Sequence, residues 1–143
     1  MREDHPIDRL IATVQATVTA PVADAMHASS QRLASRRRWV LGRPELFVEP
    51  AGREGRSLGL ALSVYTARPP WGGDLDRTTD RAHLDEVKEL LEELCRISGE
   101  LQVSFAVDFA GEAIGWVEEG RMDESLAIGL IGEWQRVLDG REQ

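Results

Sequence analysis

Six carboxylates, Asp108, Glu112, Glu118, Glu119, Asp123 and Glu124, crowd one short stretch of the chain. Paired carboxylates are the raw material of general acid–base and glycoside chemistry, which needs two acids held at a set separation across a cleft. Here the acids bracket a turn and the start of a helix, where they complement the helix dipole. They read as structural or interfacial acid. The histidines His5, His27 and His83 stand in no metal-ligand spacing and none neighbours Cys95, so no zinc site is expected. Cys95 falls on the apolar stripe of a helix and reads as a structural thiol, because a nucleophile needs a base beside it. Asp74 to Asp85 has the outline of a calcium loop, but Thr79 stands where glycine is needed and Asp85 where a bidentate Glu is usual. No G-x-S-x-G, phosphate-binding or dinucleotide-binding glycine pattern occurs. The expectation is a protein that is not an enzyme and uses no cofactor or metal.

Charge and aromatic residues point instead to binding. Residues 1–43 hold seven Arg against four acids, residues 44–79 four Arg against five, and residues 80–143 six basic side chains against sixteen acidic ones, within a net charge of −8. An acidic half repels phosphate backbones, so no nucleic-acid partner is expected, and it steers a basic protein. Arg36-Arg37-Arg38 beside Trp39 reads as a solvated helix end, or as the mate of acids within the chain or on a second subunit. Trp116 and Trp134 sit at positions read as core-facing. Trp71, between Pro69-Pro70 and Gly72-Gly73, has no periodic reason for burial and is a candidate contact anchor.

The elements that must position these residues follow from periodicity. At 143 residues the chain fits a single domain over 1–143 with one core. One cysteine allows no internal disulfide, and no apolar run reaches a membrane span. With no signal-peptide core at the N-terminus, a cytoplasmic location is expected and no membrane partner. Ile7, Leu10, Ile11, Val14 and Val18 follow helical spacing, so residues 6–35 read as helix, broken or restarted at Pro21. A strand is expected around Glu45–Val48, with Pro44 favouring a sheet edge. Leu58, Leu60, Leu62 and Val64 alternate with Gly59, Ala61, Ser63 and Tyr65, giving a strand with a large face and a small face. The small face admits a close neighbour or stays uncovered. Asp80 is the expected cap of a helix ending at Gly99, with Asp85, Glu86, Glu89, Glu92 and Glu93 on its outer side.

Leu101, Val103, Phe105, Val107 and Phe109 alternate strictly with smaller or polar residues, the pattern of a half-buried strand. A type II′ turn at Gly111-Glu112 would pair Phe109 with Ile114, Val107 with Trp116 and Phe105 with Glu118. Asp123 would cap a last helix burying Leu126, Leu130, Ile131, Trp134 and Val137 or Leu138. Gly129 and Gly132, unfavourable inside a helix, would mark a close backbone approach. The order is α-β-β-α-β-β-α. The expected fold is α+β, with about four mostly antiparallel strands and helices packed on the sheet.

From Val107 to Leu138 the chain reads VDFAGEAIGWVEEGRMDESLAIGLIGEWQRVL. This run resembles the C-terminal region of small bacterial immunity proteins that accompany polymorphic or contact-dependent toxins. The resemblance implies a small cytoplasmic protein that neutralises a cognate, often basic, toxin domain by stoichiometric occlusion. The element order, size and acidity are also similar to type III secretion chaperones, which implies as the alternative a homodimer binding an effector segment. Charge and exposure nominate Trp71, Asp74, Asp76, Glu89, Glu93, Asp108, Glu112, Glu118 and Glu119 as partner-binding residues.

Overall fold

The computed structural model describes residues 7–15, 18–50, 56–65 and 76–140, with backbone alone at 49, 50 and 56. In chain order the elements are β1 (Ile7–Val14), α1 (Ala20–Arg36), β2 (Glu45–Pro50), β3 (Arg56–Tyr65), α2 (Arg77–Leu101), β4 (Phe105–Phe109), β5 (Glu112–Glu118) and β6 (Arg121–Met122). A π-helical segment (Ser125–Gly132) then runs into α3 (Glu133–Gly140). The fold is α+β. Among the described residues there is one antiparallel sheet of six strands, in the order β2-β3-β1-β4-β5-β6, rather than the four expected.

The largest departure lies at the start. Residues 7–14 form the sheet's central strand, not a helix, paired with β3 on one side and β4 on the other. The helical spacing of Ile7, Leu10, Ile11 and Val14 coexists with a second period: Leu10, Ala12 and Val14 alternate inward and are all buried. A stretch rich in β-branched residues with partners on both edges takes the strand, because tertiary pairing outweighs local pattern. The helix begins afterwards, at Ala20. The Thr19 hydroxyl accepts the Val22 amide at 3.4 Å and Pro21 lies in the first turn, where its missing donor does no harm.

One face of the sheet carries the core. Leu10, Leu58, Leu60, Leu62, Val64, Phe105, Val107, Phe109 and Val117 meet Met26 and Leu33 of α1, Leu84, Val87, Leu90, Leu91, Leu94 and Ile97 of α2, and Trp134 and Leu138 of α3. The helix α2 starts one turn earlier than its expected cap. Asp76 accepts the Thr79 amide at 2.9 Å and its hydroxyl at 2.8 Å. Asp80 is instead buried and accepts the indole N–H of Trp134 at 2.6 Å. The helix also runs through Gly99 to a left-handed cap at Gln102. Gly99 is exposed, and a Cβ there would make an ordinary contact 3.5 Å from the Gly120 Cα.

The β4–β5 hairpin has a different turn from the one expected. Ala110 (φ 55°) and Gly111 (φ 82°) are the two turn residues, both left-handed as a type I′ turn requires. Phe109 therefore faces Glu112, Val107 faces Gly115, Ala106 faces Trp116 and Phe105 faces Val117, with a bulge between Val107 and Asp108. The new register suits the last helical segment. A side chain at position 115 would stand 2.7 Å from both the Leu126 Cγ and an Asp123 oxygen, so only glycine fits beneath Leu126. A second left-handed pair, Glu119 and Gly120, turns β5 into the short β6. Asp123 holds the start of the last segment by accepting the Leu126 amide at 3.1 Å. Leu126, Trp134 and Leu138 are buried, whereas Leu130 and Ile131 are half-buried and Val137 faces out. Gly129 and Gly132 are exposed, and nothing lies within 4 Å of a Cβ at Gly129. Both belong to the π-helical stretch, where a Cβ at Gly132 would lie 3.2 Å from the Ala127 carbonyl oxygen of the same segment.

Candidate protein-binding surface

The sheet's second face is the one no described helix covers. The register lines up a single cross-strand row on it: Phe47 opposite Gly59, Gly59 opposite Thr13, Thr13 opposite Ala106, and Ala106 opposite Trp116. Two aromatic rings thus flank three small residues. Phe47 folds down over Gly59, since a Cβ at Gly59 would lie 2.6 Å from the Phe47 Cζ and 2.2 Å from the Ala12 carbonyl oxygen. Trp116 stands at the other end, 45% exposed. The sequence placed it in the core, and the shifted hairpin register turns it outward. The next row on this face reads Glu45, Ala61, Ile11, Asp108 and Ala113.

Acids gather at the Trp116 end. Asp108 is half-buried one row away, and Glu118 is exposed two residues further along β5, opposite Arg121. Glu119 is exposed in the adjoining turn and Glu112 in the hairpin end. Asp108, Glu118 and Glu119 therefore lie near Trp116, whereas Glu112, opposite Phe109, sits at the far end of β5. Glu118 and Glu119 also border a shallow cleft of about 520 Å³ with Ser98, Gly99, Gln102 and Ser104. The Ser98 hydroxyl there accepts the Gly120 amide at 3.1 Å.

The acids of α2 are placed otherwise. Glu93 is buried, not outward, between α1 and α2. It accepts hydrogen bonds from Ser29 at 2.8 Å and Arg32 at 2.6 Å and a further pair from Arg36 and Arg96. Burial alone would raise its carboxyl pKa, but the hydrogen bonds from Arg96, Arg32 and Ser29 outweigh that and bring it from 4.5 to about 2. Glu89 is half-buried and pairs with Arg37 at 3.3 Å. Glu86 is fully buried, accepting the Val40 amide at 2.7 Å and lying 3.2 Å from His83 Nδ1. The His83 Nε2 accepts the Tyr65 amide at 3.2 Å. That fixes the neutral tautomer with its proton on Nδ1, directed at Glu86. Glu93 and Glu89 thus tie α2 to the arginines of 32–37, and Asp76 caps the helix. Trp71 and Asp74 lie outside the described residues.

The arginine run finds mates within the chain. Arg36 and Arg37 reach Glu93 and Glu89, and the Arg37 guanidinium lies 5.8 Å from the centre of the buried Trp39 ring, whose indole N–H is given to the Leu33 carbonyl. Cys95 is half-buried, and burial followed by the nearby Glu92 charge raises its pKa, so it stays a thiol. Among the described residues no group of three or more His, Cys, Asp and Glu side chains is disposed to hold a metal, and no helix is long and apolar enough to cross a membrane. Residues 77–85 of the calcium-like stretch are helical, which a ligand loop cannot be.

The Phe47–Trp116 row escaped the sequence reading. Its one visible sign was the small face of β3, Gly59, Ala61 and Ser63, legible as a face that either admits a close neighbour or stays uncovered. No protein-family model, curated protein or solved structure matches the chain.

Proposed function

We propose that this chain is a protein-binding immunity protein that neutralises a basic toxin domain by covering it, docking through the uncovered sheet face and the acidic hairpin end. One observation carries the reading: Trp116, 45% exposed on that face, with Asp108 and Glu118 beside it. Tryptophan is a favoured anchor of protein interfaces, and a ring of acid selects and accelerates a basic partner. The net charge of −8 acts in the same direction.

The test is co-purification from the native host with identification of the partner, followed by kinetics of the pair. Glu118→Lys with Glu119→Lys is expected to slow association by about tenfold at low salt, with a much smaller effect at high salt. Trp116→Ala is expected to speed dissociation by about tenfold or more. A partner whose binding ignores all three substitutions would sink this assignment. A stable dimer in light scattering, with the same three substitutions silent, would favour the homodimeric chaperone-like alternative.

A further inference from the structure

We infer that the element received by the uncovered sheet face is a basic, amphipathic α-helix of the partner, laid along the strands between Phe47 and Trp116. This rests on the protein-binding reading and adds what the partner must present. The Phe47 ring occupies the space above Gly59. Between it and Trp116 lie the strand positions of Thr13 and Ala106. Three inter-strand steps separate Gly59 from Trp116, roughly 14 Å at the usual strand spacing. That interval matches the 10–12 Å breadth of a helix with its side chains. The floor is low and partly apolar: Thr13 and Ala106 in one row, Ile11 and Asp108 in the next, all half-buried, with the buried Ala61 at its margin. A helix presenting apolar residues at i, i+3, i+4 and i+7 would bury them there.

Charge selects the helix's flanks. On this face Asp108 and Glu118 stand on either side of Trp116 along the strands, Glu45 lies beside Phe47, and Glu119 adds a charge at the turn. Arg9 and Arg121 are the described cations of the same face. Lys or Arg beside the apolar stripe would meet the acids at the Trp116 margin. A partner strand is less well served, because it needs a free sheet edge. β2 follows Pro44 and ends at Pro50, and β6 has two residues. The Trp116 amide and carbonyl are already taken by Asp123, at 3.1 and 3.0 Å.

Two synthetic probes of the same leucine and lysine composition separate helix from charge: one 14-residue peptide with leucines at helical spacing, the other with leucine and lysine strictly alternating. Binding is followed by amide and indole NMR signals of the intact chain. The helical-period peptide is expected to move the Ile11, Thr13 and Ala106 amides and the Trp116 indole. It should bind at least about tenfold more tightly than the alternating peptide, and weaken by about tenfold with Ala106→Arg or with the exposed-site change Trp116→Ala. Equal binding of the two peptides would overturn the inference. So would shifts centred on Ile128 and Leu130, or no binding by either peptide. Dilution alone moving the same signals would assign the face to a second copy and overturn it as well. Each of these leaves the protein-binding reading standing if the natural partner still responds to charge reversal at Glu118 and Glu119. Silence of that reversal would remove the reading itself.

Discussion

Glu93 carries its charge into the contact between two helices, where three guanidinium groups and a hydroxyl surround it. Its carboxyl takes up a proton near pH 4.5 in the unfolded chain and near 2 in the folded one. The resulting stabilisation is complete above about pH 4.5 and is lost as the pH falls toward 2, about 2 kcal/mol after screening at the half-exposed arginines. Urea unfolding at pH 6 and pH 2.5 measures it. Glu93→Gln should flatten that part of the pH profile and reduce stability at pH 6 by about 2–3 kcal/mol, since the arginines lose their counter-charge. An unchanged profile would show that the three arginines do not hold the carboxyl down. The sequence reading sent Glu93 outward because a charged residue in a helix is usually solvated. The signal against it was the spacing of Arg32 and Arg36, which puts two cations on one side of α1. Trp116 failed in the opposite sense. A large apolar residue in an alternating strand reads as buried, and only the turn decides which way it points.

At the level of elements, the β4–β5 turn departs from the expected register and is where a repair can be tested. Ala110 holds a left-handed backbone (φ 55°) that an alanine adopts only with strain. Ala110→Asn would create the Asn-Gly pair favoured in type I′ turns and is expected to raise stability by about 0.5–1 kcal/mol, read as a higher midpoint in thermal melting. A lower midpoint would mean that the turn is of another type. Gly111-Glu112 was legible as a turn, but not its register. That depended on Gly115 passing under Leu126, a contact with a segment not yet placed. The strand β1 is the larger case. Its partners, Leu62 and Phe109 for Leu10, lie far along the chain, so no local window contains the reason for its conformation. The capping residue of α2 shifted by one turn for the same kind of reason: Asp80 is taken by Trp134 from the other end of the chain. β2, β3, α2 and the hairpin strands were readable because their own alternation or helical stripe matches the face they bury.

Over the whole molecule, the α+β class and the acidic C-terminal half were plain in composition and pattern, whereas the sheet face that no described helix covers was not. It emerges only when six strands are ordered with the N-terminal one at the centre and every described helix on one side. The borders of that sheet have a consequence of their own. One outer strand follows Pro44 and ends at Pro50, and the other is two residues long, with Asp123 already gripping its neighbour's backbone. Such margins offer little for another copy to continue as a ladder. Concentrated solutions should therefore stay free of fibrils and give no amyloid-dye signal, and like-charge repulsion from a net −8 reinforces this. A cell could then hold the protein at high concentration without seeding polymers.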